Sequence, residues 1–172
     1  RYAPILPAWP SELRLRIVML SDFHFVEPWV NMQALESIVA KVNALAPDLV
    51  LLLGDFEEGP RFGQPIAPTD WASRLAQSRA PLGVHAVLGN HDYARSGRIH
   101  VAVPRPAALA ALEKAGIPVY VNRAERLLHE NKRFWLAGLG DQIAQLPNGR
   151  RLADLDATLA QVADDAPVLL MA

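Results

Sequence analysis

Gly83-Val84-His85-Ala86-Val87-Leu88-Gly89-Asn90-His91-Asp92 sets an apolar run directly in front of an amide, an imidazole and a carboxylate. The same arrangement occurs twice upstream. Ser21-Asp22-Phe23-His24 follows Ile17 to Leu20, and Gly54-Asp55 follows Leu49 to Leu53. Short continuous apolar runs bounded by turn residues read as strands buried on both faces, the pattern of a parallel sheet. Each of the three therefore ends in side chains that bind hard or borderline metal ions. Taken singly, each end also reads as an ordinary strand-to-loop turn, because Asp, Asn and Gly favour such turns. Taken together, in order and with matched spacing, they point to one metal site.

The spacing supports a single layered architecture. Thirty-three residues separate Asp22 from Asp55 and 35 separate Asp55 from Asn90, enough for one helical crossover each time. Between the first two strands, Leu35, Ile38, Val39, Val42 and Leu45 follow helical spacing, with Asn31 as a cap and Pro47 beyond the end. This β-α-β pattern predicts parallel strands joined by a right-handed crossover. In α/β sheets ligands gather beyond the carboxyl ends of the strands, so all three clusters can face one crevice.

Farther along, residues 56–68 read as loop, Thr69 as the cap of a helix from Asp70 to about Arg79, and Ala107 to Ala115 as a helix stopped by Gly116. Pro118 to Val121 predicts a short strand. Arg126 to Leu128 and Arg133 to Leu136 predict a hairpin around a Glu130-Asn131-Lys132 tip. Leu152, Leu155, Leu159 and Val162 mark a last helix before a strand at 167–172. Residues 1–12 carry Pro4, Pro7 and Pro10 and read as an extended arm. The domain proper is expected over residues 13–172, with a half-exposed strand entering through Leu13, Leu15 and Ile17.

Composition narrows the function classes. A chain of 172 residues, 51% hydrophobic and 20% charged, with a mean hydropathy of +0.10, is globular and buries about 70% of its unfolded surface. Its net charge of −1 provides no global field for nucleic acid or anionic lipid, so no nucleic-acid partner is predicted. The absence of cysteine excludes disulfides, thiolate nucleophiles and sulfur-ligated zinc. No apolar run reaches the ~18 residues of a membrane span, and no signal peptide is visible.

Asp22, His24, Asp55, Asn90, His91 and Asp92 are the chemistry-bearing set. Asp22 and His24 lie two apart, so an extended segment puts both on one side. Asp55, from the neighbouring strand, has two oxygens able to bridge two cations about 3.5–4 Å apart. Asn90 adds a neutral oxygen ligand. Mixed oxygen and nitrogen donors suit manganese, iron or zinc better than calcium. In the following segment Arg95, Arg98 and His100 are candidate phosphate contacts, with a solvated loop as the simpler reading. His85 is expected to be packed inside its strand. Trp29, Phe56 and Trp71 are assigned to core or loop packing, a lipid-facing entrance being the alternative.

Asp-x-His, Gly-Asp and Gly-Asn-His-Asp, in this order, resemble the first three blocks of the calcineurin-like metallophosphoesterase superfamily. The phrases Pro47 to Asp55, Gly83 to Asp92, Ala115-Gly116-Ile117-Pro118 and Leu136-Ala137-Gly138-Leu139-Gly140-Asp141 resemble its bacterial membrane-associated phosphodiesterase branch. The resemblance implies a layered α/β-β/α sandwich and a hydrolase with two divalent metal ions (manganese, iron or zinc). It implies that Asp22 and His24 ligate the first metal, Asp55 both, and Asn90 the second. His91 is then the acid that protonates the leaving oxygen, Asp92 the residue that holds its imidazole, and a metal-activated hydroxide attacks phosphorus in line.

The substrate so implied is a phosphodiester or pyrophosphate, lipid-linked in that branch. The location so implied is cytoplasmic or peripheral to the bacterial inner membrane, with peripheral membrane association of the full-length protein. A phosphomonoesterase or protein phosphatase, and a catalytically inactive binding domain of the same fold, are the rival readings. The superfamily continues with a histidine after its sixth strand and a Gly-His-x-His block, which supply further metal ligands. This sequence begins at Arg1 and stops at Ala172 without them. A longer native protein is therefore expected, and this length alone is expected to be inactive, with the fold incomplete at its C-terminus.

Overall fold

The structure, a computed structural model, describes all residues except 1, 5, 7, 8, 61, 97 and 98. Its first sheet is built from the three apolar runs. β1 (Ile17–Leu20), β3 (Leu49–Leu52) and β5 (Val84–Ala86) pair in parallel in the order β1-β3-β5. All four residues of β3 are buried, as befits a central strand covered on both faces. Between β1 and β3 the chain forms a two-residue strand, β2 (Val26–Glu27), and α1 (Met32–Ala44). The Asn31 side chain caps α1 by accepting the Ala34 N–H at 2.8 Å, and Leu35, Val39 and Val42 form its buried stripe.

The crossover from β3 to β5 contains β4 (Gln64–Pro65), antiparallel to β2, and α2 (Pro68–Leu75). α2 departs from the expected limits at both ends. It starts at Pro68, whose fixed φ and missing N–H suit the first helical position. Ala67 rather than Thr69 is the N-cap, and the Thr69 hydroxyl turns to Asp70. The helix ends at Leu75 because Asn43, from α1, takes the next backbone groups: its side chain accepts the Arg79 N–H at 2.7 Å and donates to the Gln77 carbonyl at 3.1 Å.

After β5 come a 3-10 turn (Asn90–Asp92), a hairpin of β6 (Ala94–Ser96) and β7 (Ile99–Val101), and α3 (Ala107–Lys114). The expected strand at Pro118 to Val121 is reduced to a parallel bridge between Ala86 and Val119. A second sheet follows in the order β10-β9-β8, from β8 (Arg123–His129), β9 (Lys132–Gly138) and β10 (Val168–Met171). The β8–β9 pair is the expected hairpin; Glu130 and Asn131 at its tip both have positive φ, as a tight hairpin turn demands. The last helix, α4 (Leu155–Leu159), is shorter than its periodicity suggests and is capped by Asp154.

Two cores result. One lies under α1, α2 and α3 and contains Leu35, Val50, Leu52, Trp71, Leu75 and Leu112. The other lies between the sheets and contains Leu49, Leu51, Val87, Phe134, Leu136 and Met171. Leu13, expected to open β1, is buried in the inter-sheet core ahead of the strand. The molecule is an α/β sandwich in which the carboxyl ends of β1, β3 and β5 share one edge.

Candidate metal centre and catalytic site

The loop after β1 alternates inward and outward. Phe23 and Phe25 are buried and stack at 4.8 Å, while Asp22 and His24 between and beside them face outward. The segment is not the extended one expected. Asp22 and His24 have φ of 56° and 44°, in the left-handed region that costs a non-glycine residue about 1–3 kcal/mol. Packing over-determines this backbone: Phe25 and Phe56 both stack on Trp71, at 5.2 and 5.1 Å. The N–H groups of Asp22, His24 and Phe25 donate to the carbonyls of Gly54, Asp55 and Phe56 at 3.1, 3.0 and 2.9 Å. Phe56 and Trp71 are fully buried, so the lipid-entrance alternative fails for both, whereas Trp29 is 55% exposed.

The strand ends of β3 and β5 meet backbone to backbone. A Cβ on Gly54 would lie 2.2 Å from the Gly89 nitrogen, and one on Gly89 would lie 2.2 Å from Asp55 Oδ1. Glycine is required at both positions for this approach. Asp55, also at positive φ (56°), accepts the His91 N–H at Oδ1 (3.1 Å) and holds Oδ2 3.9 Å from His24 Nε2. One ligand atom each from Asp22, His24 and Asp55 lies within 4.8 Å of the others. Asn90 sits between Gly89 and His91, both in contact with Asp55.

These residues suit a divalent cation. His24 Nδ1 lies 3.0 and 2.5 Å from the carbonyl oxygens of Glu57 and Glu58, so this nitrogen carries the proton and donates. The Nε2 lone pair is left for a metal on the Asp55 side, the usual way a protein fixes a ligating imidazole. Two carboxylates and an imidazole are donors that a divalent cation takes.

Asp92 corrects one expectation. It does not hold the His91 imidazole. Its Oδ1 accepts the N–H groups of Phe56 (2.8 Å) and Glu57 (3.0 Å), and its Oδ2 those of Asp55 (3.0 Å) and Gly89 (2.9 Å). At 3% exposure, it is a buried clasp between the ends of β3 and β5. Burial pushes its carboxyl up to about 6, against the pull of the N–H donors.

The imidazole of His91 is held instead by Glu58, whose Oε2 lies 2.8 Å from Nδ1 and whose Oε1 accepts from Arg95 at 3.2 Å. Burial opposes ionisation of Glu58, but the hydrogen bonds from His91 and Arg95 outweigh it and hold the carboxyl below its ordinary value. Glu58 was missed in the sequence, where it is one of two consecutive acids in a loop. Its only signal was a position three residues after Asp55. The His91 ring packs edge-on to His24 (5.0 Å) and to His100 (5.3 Å). Thus Arg95 and His100 both reach the site, and Arg98 lies outside the described residues. His85 is buried, as expected, with Nε2 2.7 Å from the Leu82 carbonyl and Nδ1 3.0 Å from the Tyr120 hydroxyl.

Known proteins resemble this chain in sequence and in fold. The model of the calcineurin-like phosphoesterase family (Metallophos) matches residues 15–164. A bovine (Bos taurus) transmembrane protein with metallophosphoesterase domain is 30% identical over 168 residues, covering 95% of this chain and 36% of that protein. The UDP-2,3-diacylglucosamine pyrophosphatase LpxG of Chlamydia trachomatis serovar D is 34% identical over 110 residues, 62% of this chain and 32% of that protein. An uncharacterized metallophosphoesterase of Bacillus subtilis, YkuE, is 27% identical over 153 residues, 87% of this chain and 47% of that protein. The chain thus spans less than half the length of these relatives. Among solved structures, the NAD nucleotidase NadN of Haemophilus influenzae superimposes with a TM-score of 0.58 at 17% identity, over 91% of this chain and 34% of that one, a likeness of fold. By its matched residues and its sandwich architecture, the chain belongs to the calcineurin-like phosphoesterase family.

Proposed function

We propose that this protein hydrolyses a phosphodiester or pyrophosphate at a dinuclear centre held by Asp22, His24, Asp55 and Asn90. The observation that carries the reading is the convergence of Asp22, His24 and Asp55 within 4.8 Å, beside an imidazole clamped by a carboxylate. When bound, two divalent cations draw charge from the phosphoryl oxygens and lower the pKa of water. Asp22, His24 and Asp55 would hold one cation, and Asp55 with Asn90 would contribute to holding the other. His91 works from the protein side. With Glu58 on the Nδ1–H, the ring in its doubly protonated form also carries a proton on Nε2, and that proton would pass to the leaving oxygen, leaving Nε2 with its lone pair. Arg95 presents its guanidinium beside this carboxylate, next to where a phosphate would sit.

The diester or pyrophosphate preference is supported by the LpxG relative, whose name describes a pyrophosphatase acting on a diacylated sugar nucleotide. That name and the transmembrane bovine relative also support a lipid-linked substrate and a site of action at a membrane surface. Among the described residues no helix is long and apolar enough to cross a membrane. The test compares bis-p-nitrophenyl phosphate with p-nitrophenyl phosphate on the intact protein loaded with manganese. Diester turnover that collapses in Asp55→Asn and His91→Ala is expected. Unchanged turnover in either variant refutes the role given to that residue. Monoester preference overturns the substrate class alone.

A further inference from the structure

The β6–β7 hairpin brings two side chains to the site from a single cross-strand pair. Arg95 lies directly opposite His100 in the antiparallel register, and residues so opposed project from the same face. Arg95 reaches Glu58, and His100 reaches Asn90, with Nε2 3.3 Å from Asn90 Nδ2. The main chain at His100 is fixed from outside the hairpin. Its carbonyl accepts the Gln145 N–H at 2.8 Å, and the Gln145 carbonyl accepts the Ala102 N–H at 2.8 Å. A bridge between Val101 and Gln145 completes this anchor to the segment that follows β9. The main chain that carries the ring is therefore placed independently of the residues the ring touches, and Nδ1 of the ring is buried with no partner among the described residues.

A carboxamide has one accepting end and one donating end. With the Asn90 Nδ2–H donating to the His100 Nε2 lone pair, Oδ1 is left at the far end of the amide, with no donor among the described residues. The opposite tautomer, with hydrogen on Nε2, would take Oδ1 for itself and turn outward an NH₂ group, which cannot ligate a cation. Asn90 is flanked on both sides by residues in contact with Asp55. The direction of its oxygen consequently decides whether Asp55 gains a neutral co-ligand.

We propose that His100 is a positioning residue that fixes the Asn90 amide with its carbonyl oxygen presented to the second cation, and is not itself a substrate contact. The proposal rests on the dinuclear reading above. It is tested with Mn²⁺ alone, counting bound ions and their affinities by electron paramagnetic resonance and calorimetry on the intact protein and on His100→Phe, His100→Ala and His100→Gln. Phe and Ala remove the acceptor, whereas the Gln side-chain carbonyl restores one. The wild type is expected to take up two Mn²⁺ per chain. Loss of a residue supporting a metal ligand typically weakens metal binding about 10–100-fold, and this is expected for the second Mn²⁺ in the Phe and Ala variants, with the first unchanged. Gln is expected to stay within a few-fold of wild type.

Thermal melts establish folding of each variant. Should Phe not fold, Ala against Gln decides the matter. Two Mn²⁺ bound with wild-type affinity in Phe or Ala overturns the proposal, as does a Gln variant no better than these. A wild type that takes up fewer than two Mn²⁺ overturns the dinuclear reading as well, so the two failures are distinguishable.

Discussion

Replacing Asp92 by Asn separates a clasp from a catalytic support. In the wild type, two N–H groups point at each carboxylate oxygen, at 2.8–3.0 Å. Asn retains one oxygen; its amide nitrogen faces two donors and can accept from neither, whichever way the side chain is turned. Two backbone N–H groups in a buried place then lose their partner. At about 1–3 kcal/mol for each orphaned donor, the substitution costs about 2–6 kcal/mol. That is a large part of the ~5–15 kcal/mol that keeps a typical domain folded. The measurement is urea denaturation of the metal-free protein at pH 8, where the Asp92 carboxyl, raised by burial to about 6, is ionised. With a slope of about 2 kcal/mol/M, the midpoint is expected to fall by about 1–3 M. A midpoint unchanged within error, with turnover abolished, would return Asp92 to the role of imidazole support and refute the clasp.

Three further outcomes are expected. Glu58→Gln weakens the hold on His91 and lowers kcat about 10-fold or more, while the melting temperature stays near wild type because the pair reaches solvent and neither side chain is buried; an unchanged kcat rules Glu58 out as the support. Gly89→Ala forces a methyl to within 2.8 Å of the Asp55 backbone nitrogen, not merely a flexible side-chain end, and destabilises the protein by about 1–3 kcal/mol with weakened metal uptake; uptake and stability equal to wild type would contradict the backbone contact. Burial holds the His85 imidazole below its ordinary pKa, so below about 6.5 the unfolded chain binds a proton that folded His85 refuses. Stability is expected to fall as pH drops through that value and to level off below the folded one. His85→Gln should lose less between pH 7.5 and 5.5, and equal losses in both proteins would remove His85 as the cause.

The run at Leu49 was legible because a strand buried on both faces needs no polar alternation; the run at Ile17 misled in one respect, since β1 lies at the sheet edge with Met19 65% exposed, but the ends of all three runs announced the ligand candidates. What was hidden depends on contacts across the fold. Asp92 bonds residues 35 to 37 positions away in sequence, so its place beside His91 in the chain suggested the wrong partner. The left-handed backbone at Asp22 and His24 follows from the stacking of Phe23, Phe25, Phe56 and Trp71, which no local periodicity encodes. The early end of α2 depends on Asn43 in another helix. The β6–β7 hairpin is too short and polar to stand out from a loop.

The aromatic stack beneath Asp22, His24 and Asp55 also bears on how quickly a cation can be taken up. A loop that had to find its shape after meeting the ion would make uptake wait on a slow rearrangement. Here the shape is set by rings that never touch the ion, so uptake should proceed in one kinetic phase, linear in ion concentration and limited by water exchange on the ion. Trp71, pressed against the two phenylalanines that adjoin His24 and Asp55, provides a fluorescent reporter for following that event without a label.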